Sequence, residues 1–110
     1  IKYLKLNCNN QYIIDNLPNS IVELELDFEF NLEMNNLPTS IRTLKFHEDG
    51  CYNEDLNSLP DFIEELYLSD DYSKRIMLIP SNLKKLKCCK NYSYINDFAK
   101  CYLEFYEYDY

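Results

Sequence analysis

Apolar residues return along this chain at nearly fixed intervals, and each group of them begins beside a proline. Two stretches show the full pattern: Leu-Pro-x-Ser-Ile-x-x-Leu-x-Leu at residues 17–26 and Leu-Pro-x-Ser-Ile-x-x-Leu-x-Phe at residues 37–46. Residues 59–68 and 79–88 repeat it in a degraded form. Self-similarity at a period of about 20 residues is typical of solenoids, in which each coil packs on its neighbours. The pattern therefore predicts one repeat array.

Within each repeat, apolar and polar residues alternate over a short span. When residues are counted from each proline as position zero, positions +6 and +8 are apolar and the positions around them are polar, as in Glu23-Leu24-Glu25-Leu26. Such alternation predicts a short β-strand with one buried face. Because every repeat runs in the same direction, the strands should form one parallel sheet with a single inward row of leucines: Leu24, Leu44, Leu66 and Leu86.

The segments that return the chain from one strand to the next are short. In the first complete repeat only about ten residues are left for the return, which is too few for a full-length helix with its turns. We therefore expect 3₁₀ turns or extended segments there. The predicted fold is a leucine-rich-repeat-like solenoid with a parallel β-sheet on one face and these short returns on the other.

The repeat boundaries define a single domain over residues 1–110. The units are about 1–17, 18–37, 38–59, 60–79 and 80–99, followed by a terminal strand or cap at 100–110. A sixth strand in phase would place Leu103, Tyr106 and Tyr108 at positions +3, +6 and +8, and an aromatic cap is the alternative. The chain starts inside a repeat without a capping unit. We therefore expect a longer parent protein, with further repeats or a self-contact at the N-terminal edge.

The repeated phrase, followed by Phe30-Asn31, resembles the FNIP repeat family over residues 1 to about 98. That family is a leucine-rich-repeat relative found in social amoebae and in giant viruses of amoebae, often downstream of an F-box. Its aromatic-polar step is literal at Phe30-Asn31, relaxed at Tyr72-Ser73 and Tyr92-Ser93, and broken at Gly50-Cys51. The resemblance implies a protein-binding array that recruits substrates in an F-box-type parent.

Composition narrows the choice of partners and compartment. The net charge of −8 and the pI near 4.5 speak against nucleic acid, because phosphate binding needs clustered Lys and Arg. No apolar run approaches the length of a membrane span. Five cysteines without framework spacing, one of them (Cys88) at an inward position, predict a reducing compartment. We expect a cytoplasmic location, or host cytoplasm or virion for a viral protein.

The side chains that point away from the leucine row are the candidate binding site. They lie on the concave face of the predicted sheet, where solenoids commonly bind proteins. Neighbouring strands about 4.8 Å apart would let Glu25 reach both Lys5 and Lys45. Such charges form either a solvated ladder of weak ion pairs or a charge-patterned groove for a protein. The candidate residues are Tyr3, Lys5, Glu23, Glu25, Asp27, Lys45, His47, Glu65, Tyr67, Lys85 and Lys87.

Other constellations are less specific. The segment His47-Glu48-Asp49-Gly50-Cys51 offers three ligand types, but no second Cys or His stands at metal-ligand spacing, so we predict no metal.

Position +11 carries carboxylates in three of five repeats, which predicts an exposed row. Return-segment tyrosines are either interface anchors or rings that cover the edge of the core: Tyr12, Tyr52, Tyr72 and Tyr92.

The sequence favours a binding function over catalysis. With one His and one Gly, the chain lacks the nucleophile–base–acid sets and the Gly-rich loops of most catalytic templates, so we predict neither an enzyme nor a cofactor. We expect a non-catalytic protein-protein interaction domain. The alternative is a structural repeat segment of a large viral or cellular assembly.

Overall fold

Six short strands form one all-parallel sheet in chain order in the computed structural model, which describes residues 1–107. The strands are β1 (Tyr3–Leu6), β2 (Glu23–Leu26), β3 (Thr43–Phe46), β4 (Glu65–Tyr67), β5 (Lys85–Cys88) and β6 (Tyr102–Phe105). Each strand hydrogen-bonds only to its sequence neighbours in this sheet. The predicted repeat solenoid is therefore confirmed.

The inward leucine row is present in the predicted phase. Leu24 pairs with Leu44, Leu44 with Leu66, and Leu66 with Leu86, and none of the four side chains is exposed. The position two residues later forms a second buried row, in which Cys88 takes the place of an aliphatic residue. Burial raises the pKa of the Cys88 thiol to about 11, so the thiol is neutral and packs as a small apolar group.

The sixth strand exists, but its predicted register is wrong. Leu103 lies opposite Leu86, and Phe105 lies opposite Cys88, so these two residues occupy the +6 and +8 positions. Tyr106 follows the strand and is buried. The error arose because no proline marks the start of this coil, which is shorter than the others. Tyr108, the other residue of the predicted strand, lies outside the described residues.

Each proline begins a tight turn that leads into the next strand. The carbonyl groups of Pro18, Pro38 and Pro60 each accept a hydrogen bond from the N–H three residues later, at 3.3–3.4 Å. A serine at +2 of such a turn can bond the local backbone. Instead, the Ser40 hydroxyl donates to the carbonyl of Ile21 in the preceding coil at 2.7 Å. The Ser40 side chain therefore links two successive coils by a hydrogen bond.

The return segments largely lack regular secondary structure and contain two short helical turns, neither of them a full-length helix. The last return contains a 3₁₀ helix at Ile95–Phe98, whereas the first contains a five-residue α-helix (α1, Gln11–Asp15). The α1 turn starts at Asn10, whose side-chain oxygen accepts the Ile13 N–H. No helix in residues 1–107 is long and apolar enough to cross a membrane.

An aromatic stack runs along the return side of the core. Tyr52, Tyr72 and Tyr92 are buried, with adjacent ring centroids 6.1–6.3 Å apart, so these rings cover the core edge. Phe30 stacks on Tyr52 at 5.8 Å and continues the row into the second coil. Tyr12 differs from the other three tyrosines, because 76% of its surface is exposed.

The aromatic-polar step of the third coil is Tyr52-Asn53, which corrects the prediction that Gly50-Cys51 breaks the pattern. Two extra residues precede Tyr52, so counting from Pro38 misses it by two positions. The Asn31 side-chain oxygen accepts the Asn53 N–H at 3.1 Å, and the Asn53 oxygen accepts the Ser73 N–H at 3.0 Å. These polar side chains link successive coils. The row at +11 is exposed, as predicted.

Candidate functional site

The outward side chains of the six strands form two parallel rows, which together we call the polar strand face. They alternate with the buried leucines, so the same pattern that builds the core also orders this surface. The first row is Tyr3, Glu23, Thr43, Glu65, Lys85 and Tyr102. The second row is Lys5, Glu25, Lys45, Tyr67, Lys87 and Glu104.

Ion pairs connect the strands at the β1 end of this face. Lys5 contacts Glu25 at 3.5 Å, as the strand spacing predicted. Lys45 lies opposite Glu25 in the register but contacts Glu23 at 3.5 Å, so the prediction that Glu25 reaches both lysines is wrong. The long lysine side chain reaches a diagonal neighbour, which backbone register alone does not specify.

Tyr67 is the centre of the face. The ammonium groups of Lys45 and Lys85 lie 4.9 and 5.0 Å from its ring centroid, within cation–π range. Its hydroxyl accepts a hydrogen bond from Lys85 at 3.0 Å and donates one to Glu65 at 3.0 Å. The bond to Tyr67 raises the pKa of Lys85. We call these four residues, Lys45, Glu65, Tyr67 and Lys85, the Tyr67 cluster.

Glu104 extends the face onto the sixth strand and was missed by the sequence analysis. Its carboxylate contacts Lys87 at 3.2 Å and Lys85 at 3.4 Å, and hydrogen bonding to Lys87 is the main cause of its lowered pKa. Lys87 also lies 5.0 Å from the Tyr106 ring centroid. The sequence does contain a signal for Glu104. Tyr102–Phe105 reads Tyr-Leu-Glu-Phe, which is similar to Thr-Leu-Lys-Phe in β3 and places Glu104 at the position of Lys45.

Two of the predicted site residues serve the turns that follow the strands. A side-chain oxygen of Asp27 accepts the N–H of Phe28 at 2.8 Å, and His47 Nδ1 accepts the N–H of Asp49 at 3.1 Å. The His47 ring packs edge-on against Phe28, with centroids 6.0 Å apart. Within the described part of the chain, no cluster of three or more His, Cys, Asp or Glu side chains could hold a metal ion.

The face is ordered and nearly balanced in charge. Side-chain exposures of Lys45, Lys85, Lys87 and Glu104 lie between 25 and 33%, so each group is partly desolvated but still accessible. The arrangement provides charged donors, charged acceptors and an aromatic ring at fixed spacings. Chemically, it can form charge-assisted hydrogen bonds and ring contacts with another polar surface.

In-register parallel coils, a stacked leucine row and a polar strand face define a repeat solenoid that resembles leucine-rich-repeat proteins. Solenoids of this class typically act through extended surfaces. The sequence profile of the FNIP Repeat family matches residues 10–49, which contain β2 and β3. This match confirms, over these residues, the resemblance to FNIP repeats that the repeated phrase predicted. No curated protein and no solved structure matches the chain.

Proposed function

We propose that this chain is a non-catalytic repeat domain that binds a protein partner across the polar strand face. The match to FNIP repeats and the solenoid fold support an interaction-related role. The acidic net charge favours a protein partner over nucleic acid. All five cysteines are free, which suits a reducing, cytoplasmic setting.

The main structural support for this proposal is the Tyr67 cluster. Tyrosine is enriched among residues that dominate binding energy, because its ring buries a large area and its hydroxyl accepts or donates hydrogen bonds. Here the ammonium groups of Lys45 and Lys85 on the two neighbouring strands, and the Glu65 carboxylate on the same strand, hold the ring in place. A partner would meet side chains that are already ordered, which lowers the entropic cost of association.

The pattern of charges around Tyr67 would select the partner. Exposed pairs such as Lys5–Glu25 contribute at most about 1 kcal/mol each to folding, so their exchange for contacts with a partner costs the fold little. Complementary charges govern specificity and association rate more than raw affinity. In an F-box-type parent, which the FNIP resemblance implies, this face would recruit substrates.

Charge reversal on two different surfaces tests the proposal. The face variant is E23K/E25K/K45E, and the control is E33K/E54K/K74E, which makes the same charge change on the return segments. Proximity capture from cells that express the full parent should recover a specific partner with wild type and control. The face variant should lose it by at least tenfold. Equal capture by all three proteins contradicts the proposal, as does self-association insensitive to both changes, which would favour a structural role.

A further inference from the structure

One pair of exposed apolar residues departs from the pattern of its repeat. The two positions before the aliphatic-proline pair hold polar residues in the second and third coils, Asn35-Asn36 and Asn57-Ser58. In the fourth coil the same positions hold Met77 and Leu78, which are 66 and 68% exposed. Polar residues satisfy this position elsewhere, so the packing of the coil does not require apolar side chains there.

An open groove of about 440 Å³ begins at the very next residue, between the fifth and sixth coils. Its apolar lining comes from both coils: Ile79, Pro80, Leu83, Phe98, Ala99 and Cys101. Met77 and Leu78 directly precede the first residue of the groove in the chain, and exposed apolar residues beside an apolar groove are typical of a binding surface.

The groove has a specific structural cause. In the other coils the residue whose N–H bonds the proline carbonyl is Ile or Leu, and its side chain is buried in the core. In the sixth coil the Cys101 N–H makes the equivalent bond to the Phe98 carbonyl at 2.9 Å. Cysteine is smaller than isoleucine, so its side chain fills only part of the space between the fifth and sixth coils, and the groove remains. Asp97 stands where the other coils have the aliphatic residue before the proline. Its carboxylate contacts Arg75 at 2.8 Å, so this position adds no aliphatic side chain to the groove.

In the other coils, the space equivalent to this groove is filled by the aliphatic-proline turn of the next coil. Charged residues at the margin of the groove favour a negatively charged group in the partner. Lys100 lines the groove and has no carboxylate partner within residues 1–107, whereas Asp97 is held by two hydrogen bonds from Arg75. A partner segment with a carboxylate just after its proline would complement Lys100.

We propose that this groove, together with Met77 and Leu78, binds an aliphatic-proline-acidic turn of a partner protein. The segment would place its aliphatic side chain on Ile79 and Leu83, where the sixth coil leaves space. This surface is distinct from the polar strand face, so the two can be tested separately. The chain contains a suitable probe sequence, Leu59-Pro60-Asp61-Phe62-Ile63.

A fluorescent peptide that copies residues 57–65 provides the test, with binding measured by anisotropy. We expect saturable binding to the wild-type chain. The variant M77N/L78S, which introduces the polar residues found at the same positions of the third coil, should bind at least tenfold more weakly while unfolding at an unchanged temperature. Phe28→Asn, which removes a half-exposed apolar side chain elsewhere, should bind normally, and so should E23K/E25K/K45E.

Changes in the peptide and in Lys100 test the chemistry of recognition. Replacing the peptide's proline by Ala, or its aspartate by Lys, should weaken binding, and Lys100→Glu should weaken binding of the native peptide. No binding by wild type, or equal binding by M77N/L78S, overturns the proposal. Concentration-dependent dimerisation of the chain that M77N/L78S abolishes also overturns it, because a second copy would then be the occupant.

Discussion

Buried tyrosine hydroxyl groups link the return segments of successive coils. Tyr52 donates to the carbonyl of Leu32 at 2.9 Å, and Tyr72 donates to the carbonyl of Glu54 at 2.9 Å. Burial raises the pKa of Tyr72 well above its usual range, so the hydroxyl stays protonated and remains a donor. Each ring therefore contributes apolar packing within its coil and one hydrogen bond to the coil before it.

Replacing Tyr72 with Phe should isolate the contribution of this hydrogen bond. The ring would stay in the stack while the Glu54 carbonyl loses its donor, so we expect a loss of about 1 kcal/mol in the free energy of unfolding. The control is Tyr12→Phe, which removes a hydroxyl from an exposed ring. Urea denaturation of both variants measures the difference. Equal stability of the two variants would contradict the assigned role of the Tyr72 hydroxyl.

Sequence alone shows that an aromatic residue recurs in the returns, but not what its hydroxyl does. The choice between an interface anchor and a core cover depends on how far the return segment lies from the sheet, and no local pattern encodes that distance. The phase of Tyr52 was missed for a related reason. Two residues inserted beside Gly50 shift the count from the proline, while the ring stays in register with its stacked neighbours.

Strand β6 is the element where prediction from sequence failed most clearly. Strands β2 to β5 follow a proline at a constant distance, so their phase could be read directly from the chain. The sixth coil has no proline, and the shorter return moves Leu103 into the inward row. The error concealed Glu104 and placed Tyr106 in the strand. A repeat can thus retain its sheet register while it loses its sequence marker.

Glu104→Gln should reveal the electrostatic contribution of β6. The pKa of Glu104 is lowered by Lys87 and Lys85, so its charged form stabilises the folded state at pH above the unfolded pKa. That stabilisation is lost as the pH falls through the lowered, folded-state pKa. Wild type should therefore be more stable than the variant at pH 7, and the difference should shrink toward about pH 3.

Urea denaturation at several pH values measures this dependence. Glu29→Gln is a matched control, because Glu29 is an exposed carboxylate on the loop after β2, without a lysine contact in the described residues. Its stability difference from wild type should stay small across the range. A Glu104→Gln difference that is constant with pH would contradict the role of the lysine contacts.

Charge is distributed unevenly over the whole solenoid. The polar strand face carries both signs in nearly equal numbers, so the net charge of −8 comes mainly from the turns and returns. Net charge well away from zero favours solubility, while mixed charge at fixed spacing favours selective contacts. The turns and return segments are therefore acidic, whereas the polar strand face around Tyr67 is balanced in charge.

We propose that a protein partner contacts the polar strand face at Tyr67. Photocrosslinking tests it directly, with benzoylphenylalanine placed at position 67 in one sample and at the exposed position 12 on the return side in another. After irradiation in cells that express the parent protein, position 67 should give one discrete crosslinked partner, and position 12 should give none. Crosslinking from position 12 but not from 67, or from neither position, would contradict the account.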